Sequence, residues 1–309
     1  MPYDLSKYPM KPEVIAYLDR VAARYPDDSG ALDVEENRRL YLAMCADFEA
    51  PVADDVATTN HQIPGRNGNI PIRIYENPQH HSPVTVIYYH GGGFVVGNLD
   101  SHHSICADIA HATGYRVVAA DYRLAPEFVH PVPFEDALDV FLALDLGHTV
   151  VAGDSAGGTL AAAVCVAQHG SERQPVGQVL IYPWLGGEMF DLPSYDEKAD
   201  APGLSRQDIR DYQALRSAGA PETHDPTYFP LAHPDFSDLP ACAAFAAEHD
   251  PIRDDAVEYV RRLDTAGVKA TCTVERGLVH GYLRGRYMSA DIGDSFRRTC
   301  DAIRELGAF

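Results

Sequence analysis

Short, wholly apolar runs alternate with amphipathic stretches along most of this chain. Residues 84–89 (VTVIYY), 116–121 (RVVAAD), 149–153 (TVVAG), 178–183 (QVLIYP), 242–247 and 270–275 are brief and apolar throughout. Strands covered on both faces read this way. Between them, 104–111, 133–144, 156–168 and 254–266 carry helical spacing, and 294–306 closes the chain in the same style. That alternation predicts an α/β fold: a mainly parallel central sheet with helices on both faces. A further strand near residues 70–75, entered through the turn-prone Pro64-Gly65-Arg66-Asn67-Gly68, is expected to pair antiparallel at the sheet edge.

Two stretches break the pattern. Residues 1–50 hold two helical segments, 11–25 and 34–48, before any strand. Residues 185–230 interrupt the strand series and carry Met189, Phe190, Leu192, Tyr195, Leu204, Tyr212 and Leu215 among prolines and glycines. The expected organisation is a core of 51–184 and 231–309, with 1–50 and the 185–230 insertion forming a helical cap. Such a cap would lie over the carboxyl ends of the strands, where open α/β sheets place their sites.

The chain has 309 residues, 46% of them hydrophobic and 23% charged, which is globular rather than disordered or fibrous. Twenty-five basic against 45 acidic residues give a net charge of −20. Counterion-release binding needs clustered Lys and Arg, so nucleic acid is not expected as a partner. An anionic membrane surface would repel the same charge. No run reaches the roughly 18 apolar residues of a membrane span, and the N-terminus lacks an apolar signal core. The six cysteines are scattered, with no C-x-x-C pair, as in a reduced cytoplasmic protein. His80-His81 and His102-His103 lack companion ligands at metal-binding spacing and read as solvated loop residues, so neither a metal nor a cofactor is expected. A homodimer stays open.

The chemistry lies at the strand ends. Gly153-Asp154-Ser155-Ala156-Gly157 fits G-x-S-x-G, with a strand running in and a small-residue helix running out. A nucleophile elbow demands that order, because the tight turn exposes the serine Oγ at the helix N-terminus. His90-Gly91-Gly92-Gly93 follows directly on VTVIYY, and backbone free of side chains can turn its N–H groups toward one point, as an oxyanion hole requires. No Lys-Ser/Thr follows, which excludes a phosphate-binding P-loop. A serine nucleophile then needs an acid and a histidine, in that chain order. Asp250 directly follows the strand CAAFAA, and His280 is the one histidine after it. His224, His233 and His249 precede or abut the acid and break the order.

These motifs, HGGGF at 90–94, DYRLAPE at 121–127, GDSAGG at 153–158, DPIRD at 250–254 and HGY at 280–282, resemble the hormone-sensitive-lipase-like esterases. The likeness is closest to the bacterial acetyl esterases of that family, and it runs through most of residues 55–309. It implies an α/β-hydrolase core with a cap, and ester hydrolysis by Ser155, Asp250 and His280. By the same likeness Gly92, Gly93 and Ala156 supply the oxyanion N–H groups, introduced by His90 and Gly91. The segment 121–127 has a structural part, with its charges paired and Ala125–Pro126 cis. Two departures stand out: residues 145–148 make an unusually short link into the nucleophile strand, and Tyr282 stands where phenylalanine is common.

The expected function is serine carboxylesterase action on short- to medium-chain acyl esters, through an acyl-enzyme. A small-molecule ester is the expected partner, with Phe94, Trp184 and Tyr282 about the substrate pocket. The alternative is a catalytically silent small-molecule binder on the same fold. That reading would be marked by loss of the histidine or the glycines, and both are intact. The acidic surface favours neutral over anionic esters to the extent that it surrounds the pocket mouth.

Overall fold

The computed structural model describes residues 4–25, 33–144, 147–221 and 223–308. Two helices, α1 (Pro12–Ala22) and α2 (Val34–Ala46), come before any strand. A hairpin follows, β1 (Ala57–Gly65) and β2 (Gly68–Glu76), and then β3 (Val84–Tyr89), α3 (His103–Thr113), β4 (Arg116–Ala120), α4 (Val132–Ala143), β5 (His148–Asp154) and α5 (Ala156–Ala167). After β6 (Gly177–Ile181) come the short α6 (Ser194–Glu197) and α7 (Arg206–Arg216). The chain closes with β7 (Ala241–His249), α8 (Arg253–Thr265), β8 (Ala270–Val279) and α9 (Ala290–Gly307).

The eight strands form one sheet in the order β1-β2-β4-β3-β5-β6-β7-β8. β1–β2 and β2–β4 pair antiparallel, and every later pair is parallel. Period-2 alternation splits each central strand between two apolar layers. Ile87, Tyr89, Val151 and Leu180 pack with α4, α5 and α8 on one face. Val86, Tyr88, Val150 and Val179 pack with α3 and α9 on the other, where Val14, Tyr17, Leu18 and Met44 of α1 and α2 join them. Both faces being covered explains why these strands contain no polar alternation.

Two strand expectations need correction. The strand near residues 70–75 does pair antiparallel, but β1 lies outside it as the edge. β1 carries no hydrophobic signal because Ala57 through Gln62 are all exposed. The strand expected at 270–275 runs on through Gly277-Leu278-Val279 to His280 as the end of β8, re-registered past an irregularity opposite Ala247 and His249. The short link before β5 falls partly outside the described residues, at 145 and 146. No described helix is long and apolar enough to cross a membrane.

Candidate active site

Because β3, β5, β7 and β8 run parallel, the residues that leave their carboxyl ends meet on one edge of the sheet. These are His90, Ser155, Asp250 and His280. Ser155 sits in the turn from β5 to α5 with φ 53° and ψ −119°, a left-handed conformation that costs a non-glycine residue about 1–3 kcal/mol. Its N–H donates to the carbonyl of Ile181 (2.9 Å), which ties the turn to the neighbouring strand. The close approach of α5 to β3 requires glycine at 157, where a Cβ would lie 1.9 Å from the carbonyl oxygen of Tyr89.

His280 bridges the other two groups. Its Nε2 lies 2.9 Å from Ser155 Oγ, and its Nδ1 lies 2.7 Å from Asp250 Oδ2. Asp250 is buried, and its second oxygen accepts the backbone N–H of Ile252 at 3.0 Å. With Nδ1–H donated to the carboxylate, Nε2 presents its lone pair to the serine hydroxyl. The arrangement is able to remove the Oγ proton and hold the resulting imidazolium.

The HGGG segment forms a tight turn above Ser155. Gly92 (φ 130°), Gly93 (φ 59°) and the non-glycine Phe94 (φ 65°) all lie in positive-φ conformations. The Gly92 carbonyl accepts from the N–H groups of both Val95 and Val96. His90 stacks on Tyr122 with ring centroids 4.4 Å apart, and the Tyr122 hydroxyl donates to the His90 carbonyl at 2.6 Å. Burial pushes the His90 imidazole down to about 3, so it stays neutral as a structural anchor. Ala156 opens α5 directly after the serine.

A buried charge network behind this turn escaped sequence reasoning. Asp154 accepts from the Gly91 N–H and the Tyr88 hydroxyl, each at 2.9 Å, and faces His102 Nε2 at 3.2 Å. Arg284, also buried, donates to the Ser101 carbonyl and the Tyr41 hydroxyl (2.8 Å) and lies 3.2 Å from His102. Burial alone would raise the Asp154 carboxyl, but His102, Arg284 and Tyr88 hold it well below the usual carboxylate range. His102 is therefore a buried member of the site's foundation, not a solvated loop residue. His103 is half-buried on α3 against Tyr75, while His80 and His81 are exposed.

Ser155 and His280 open into a cavity of about 140 Å³. Trp184, Leu204, Ile209 and Tyr212 wall one part of it, and Tyr17, Leu18, Tyr41 and Met44 from α1 and α2 wall another. The Tyr17 hydroxyl donates to the Gly281 carbonyl at 2.6 Å, so α1 touches the histidine's own loop. Of the three pocket residues expected from sequence, Trp184 lines the cavity and the other two do not. Phe94 is buried behind the glycines, 6.4 Å centroid to centroid from Trp184. Tyr282 directs its hydroxyl to Ser295 Oγ (2.8 Å), away from the cavity.

The charges of 121–127 pair outward rather than among themselves. Arg123 binds Asp136 through its backbone and guanidinium, and Glu127 binds Arg38 of α2. Ala125–Pro126 is cis, as is His130–Pro131. His233 packs on His169, and His249 bonds the Pro9 carbonyl. Neither joins Ser155.

A family model described as the alpha/beta hydrolase fold matches residues 86–284. The chain is 36% identical to Esterase LipI of Mycobacterium tuberculosis over 289 residues, which is 88% of this chain and 87% of that protein. It is 30% identical to an ethyl acetate hydrolase of Pseudomonas putida, over 89% of this chain and 92% of that one. Among solved structures, the Pyrobaculum calidifontis esterase superposes with a TM-score of 0.86 at 28% identity, covering 97% of this chain and all (100%) of that one. With the sheet order, the serine elbow and these likenesses together, the chain belongs to the hormone-sensitive-lipase-like branch of the alpha/beta hydrolase fold and is a carboxylic ester hydrolase.

Proposed function

We propose that this esterase hydrolyses short- to medium-chain acyl esters by two-step acyl transfer through Ser155, His280 and Asp250. The observation that carries the reading is the continuous hydrogen-bonded path from Asp250 through His280 to Ser155. Ser155 Oγ bonds to the ester carbonyl carbon as its proton passes to His280 Nε2, and the carbonyl electron pair moves onto oxygen. The N–H groups of Gly92, Gly93 and Ala156 stabilise that oxyanion; one such donor is worth about 3–4 kcal/mol elsewhere. Collapse expels the alcohol, which takes the proton from His280 and leaves the acyl group on Ser155. Water then attacks the acyl carbon, gives its proton to His280, and Ser155 departs reprotonated.

Helices α1, α2 and α7 act in this reading as a cap whose tyrosines and aliphatic side chains form the acyl and alcohol sites. The cavity is close in size to an apolar cavity of about 150 Å³ that takes up benzene, which supports small apolar substituents over long chains. The names of the relatives, ethyl acetate hydrolase among them, support the same size class. The test is Ser155→Ala, assayed with p-nitrophenyl butyrate and treated with a serine-reactive phosphonate. We expect hydrolysis to fall at least about 10⁴-fold and the phosphonate adduct to vanish. Turnover within tenfold of wild type, in a folded variant, defeats the assignment.

A further inference from the structure

The oxyanion turn is held in place largely by side chains from outside the sheet. Its backbone passes through three successive positive-φ residues, one of them Phe94, so its shape needs external ties. From inside, Asp154 takes the Gly91 N–H. From outside, the guanidinium of Arg38 on α2 donates from Nε to the Val95 carbonyl (2.8 Å) and from a terminal nitrogen to the Ala125 carbonyl (2.9 Å). The Ala125 N–H in turn holds the Phe94 carbonyl at 2.8 Å. One planar fork therefore clasps the two strands of loop on which Gly92 and Gly93 ride.

Apolar contacts reinforce the clasp. Val95, Val96 and Ala125 form a small hydrophobic cluster of their own, closed by Val34 and Tyr41 of α2 and by Tyr212 and Leu215. Tyr212 packs against Gly93, where a Cβ would fall 2.3 Å from its ring. One turn further along α7, the Arg216 guanidinium stacks 3.9 Å from the Phe94 ring.

We propose that Arg38 is a positioning residue for the oxyanion hole, so that α2 takes part in catalysis without touching substrate. This rests on the ester-hydrolase mechanism proposed above. Arg38 does not line the cavity, so its loss acts through the turn rather than through substrate binding. Its bidentate partner Glu127 is half exposed and serves as the control, since Glu127→Gln removes the ion pair and leaves the two carbonyl hydrogen bonds in place.

The experiment compares wild type, Arg38→Met, Arg38→Lys and Glu127→Gln in kcat, KM and inhibition by a butyl trifluoromethyl ketone. That ketone adds to Ser155 Oγ and leaves its oxygen anion where the transition state does. For Arg38→Met we expect kcat to fall about 10- to 100-fold with KM within about threefold, since misaligning the donors costs less than deleting one. The ketone inhibition constant should rise by the factor by which kcat/KM falls. Arg38→Lys, which keeps charge but not the fork, should lose about 3- to 10-fold. Glu127→Gln should stay within about twofold, the range of a surface ion pair. If Arg38→Met does not fold, Arg38→Lys decides alone. An Arg38 variant that is folded and retains wild-type kcat overturns the proposal. So does one whose KM alone rises while ketone affinity holds. A wild type that neither hydrolyses esters nor labels at Ser155 overturns the mechanism and this proposal together, whereas an active wild type with Arg38 variants of unchanged kcat overturns only this one.

Discussion

Gly157 and Tyr89 touch through backbone alone: the first turn of α5 rests on the carbonyl that ends β3, with no room for a methyl group between them. In an ordinary helix, replacing glycine by alanine gains about 1 kcal/mol. Here the sign reverses, because the atom in the way is main chain and cannot swing aside. Gly157→Ala should lose at least about 3 kcal/mol, the upper end of overpacking costs. A thermal melt checks it, and a Tm at or above wild type would show that α5 can lift away.

Asp250→Asn should separate structure from chemistry. The asparagine oxygen can still accept the Ile252 N–H, so the melting temperature should move little. Its NH₂ would face His280 Nδ1 and force the proton onto Nε2, the wrong tautomer for a base. We expect kcat to drop about 10⁴-fold, as for the same change in another serine triad. Steady-state kinetics beside a melt reads both quantities.

Asp255 should make stability depend on pH. Its Oδ2 accepts from the N–H groups of Leu185 (2.7 Å) and Gly186 (2.8 Å) and from the Tyr195 hydroxyl (3.3 Å), while Oδ1 is buried with no hydrogen-bond partner among the described residues. Burial pushes the carboxyl up to about 7 despite those donors. The folded state then holds a proton that the unfolded chain releases near pH 4. The stabilisation is complete below about pH 4 and is lost as the pH rises toward 7, at up to about 1.4 kcal/mol per pH unit. Urea melts of wild type and Asp255→Asn at pH 5 and 7 should show the wild-type advantage shrinking at the higher pH. An advantage equal at the two pH values would mean the carboxyl is ionised throughout.

The cavity walls predict an acyl-length optimum. Activity on p-nitrophenyl esters should peak between acetyl and hexanoyl and be at least about tenfold lower for dodecanoyl in kcat/KM. Leu204→Ala enlarges the wall and should move the optimum one or two carbons longer. A flat chain-length series in both proteins would mean that the acyl group lies elsewhere.

Much of this architecture was legible because each functional group ends a buried strand. VTVIYY leads to His90, TVVAG to Ser155 and CAAFAA toward Asp250, so apolar runs and chemistry marked each other. β1 was invisible for the opposite reason: it is polar and exposed, and only hydrogen bonding to β2 makes it a strand. Tyr17, Tyr25 and Tyr41 could not be placed in the cavity, since an apolar stripe reads alike whether it faces a core or a pocket. The meeting of His102 and Arg284 joins residues 182 positions apart. No local pattern carries that kind of pairing. Tyr282 does not line the cavity because, two residues past His280, its hydroxyl is turned to Ser295 of α9.

The bond from the Tyr17 hydroxyl to the Gly281 carbonyl spans 264 positions of the chain. A ribosome makes the donor long before the acceptor. Until then the apolar stripe of α1, with Val14, Tyr17 and Leu18, has no finished surface to settle on. A nascent chain stopped short of His280 would lack both the proposed base and the loop that docks this helix. The contact to Ser155 and the docking of α1 therefore wait for the same short stretch of chain, residues 280–281.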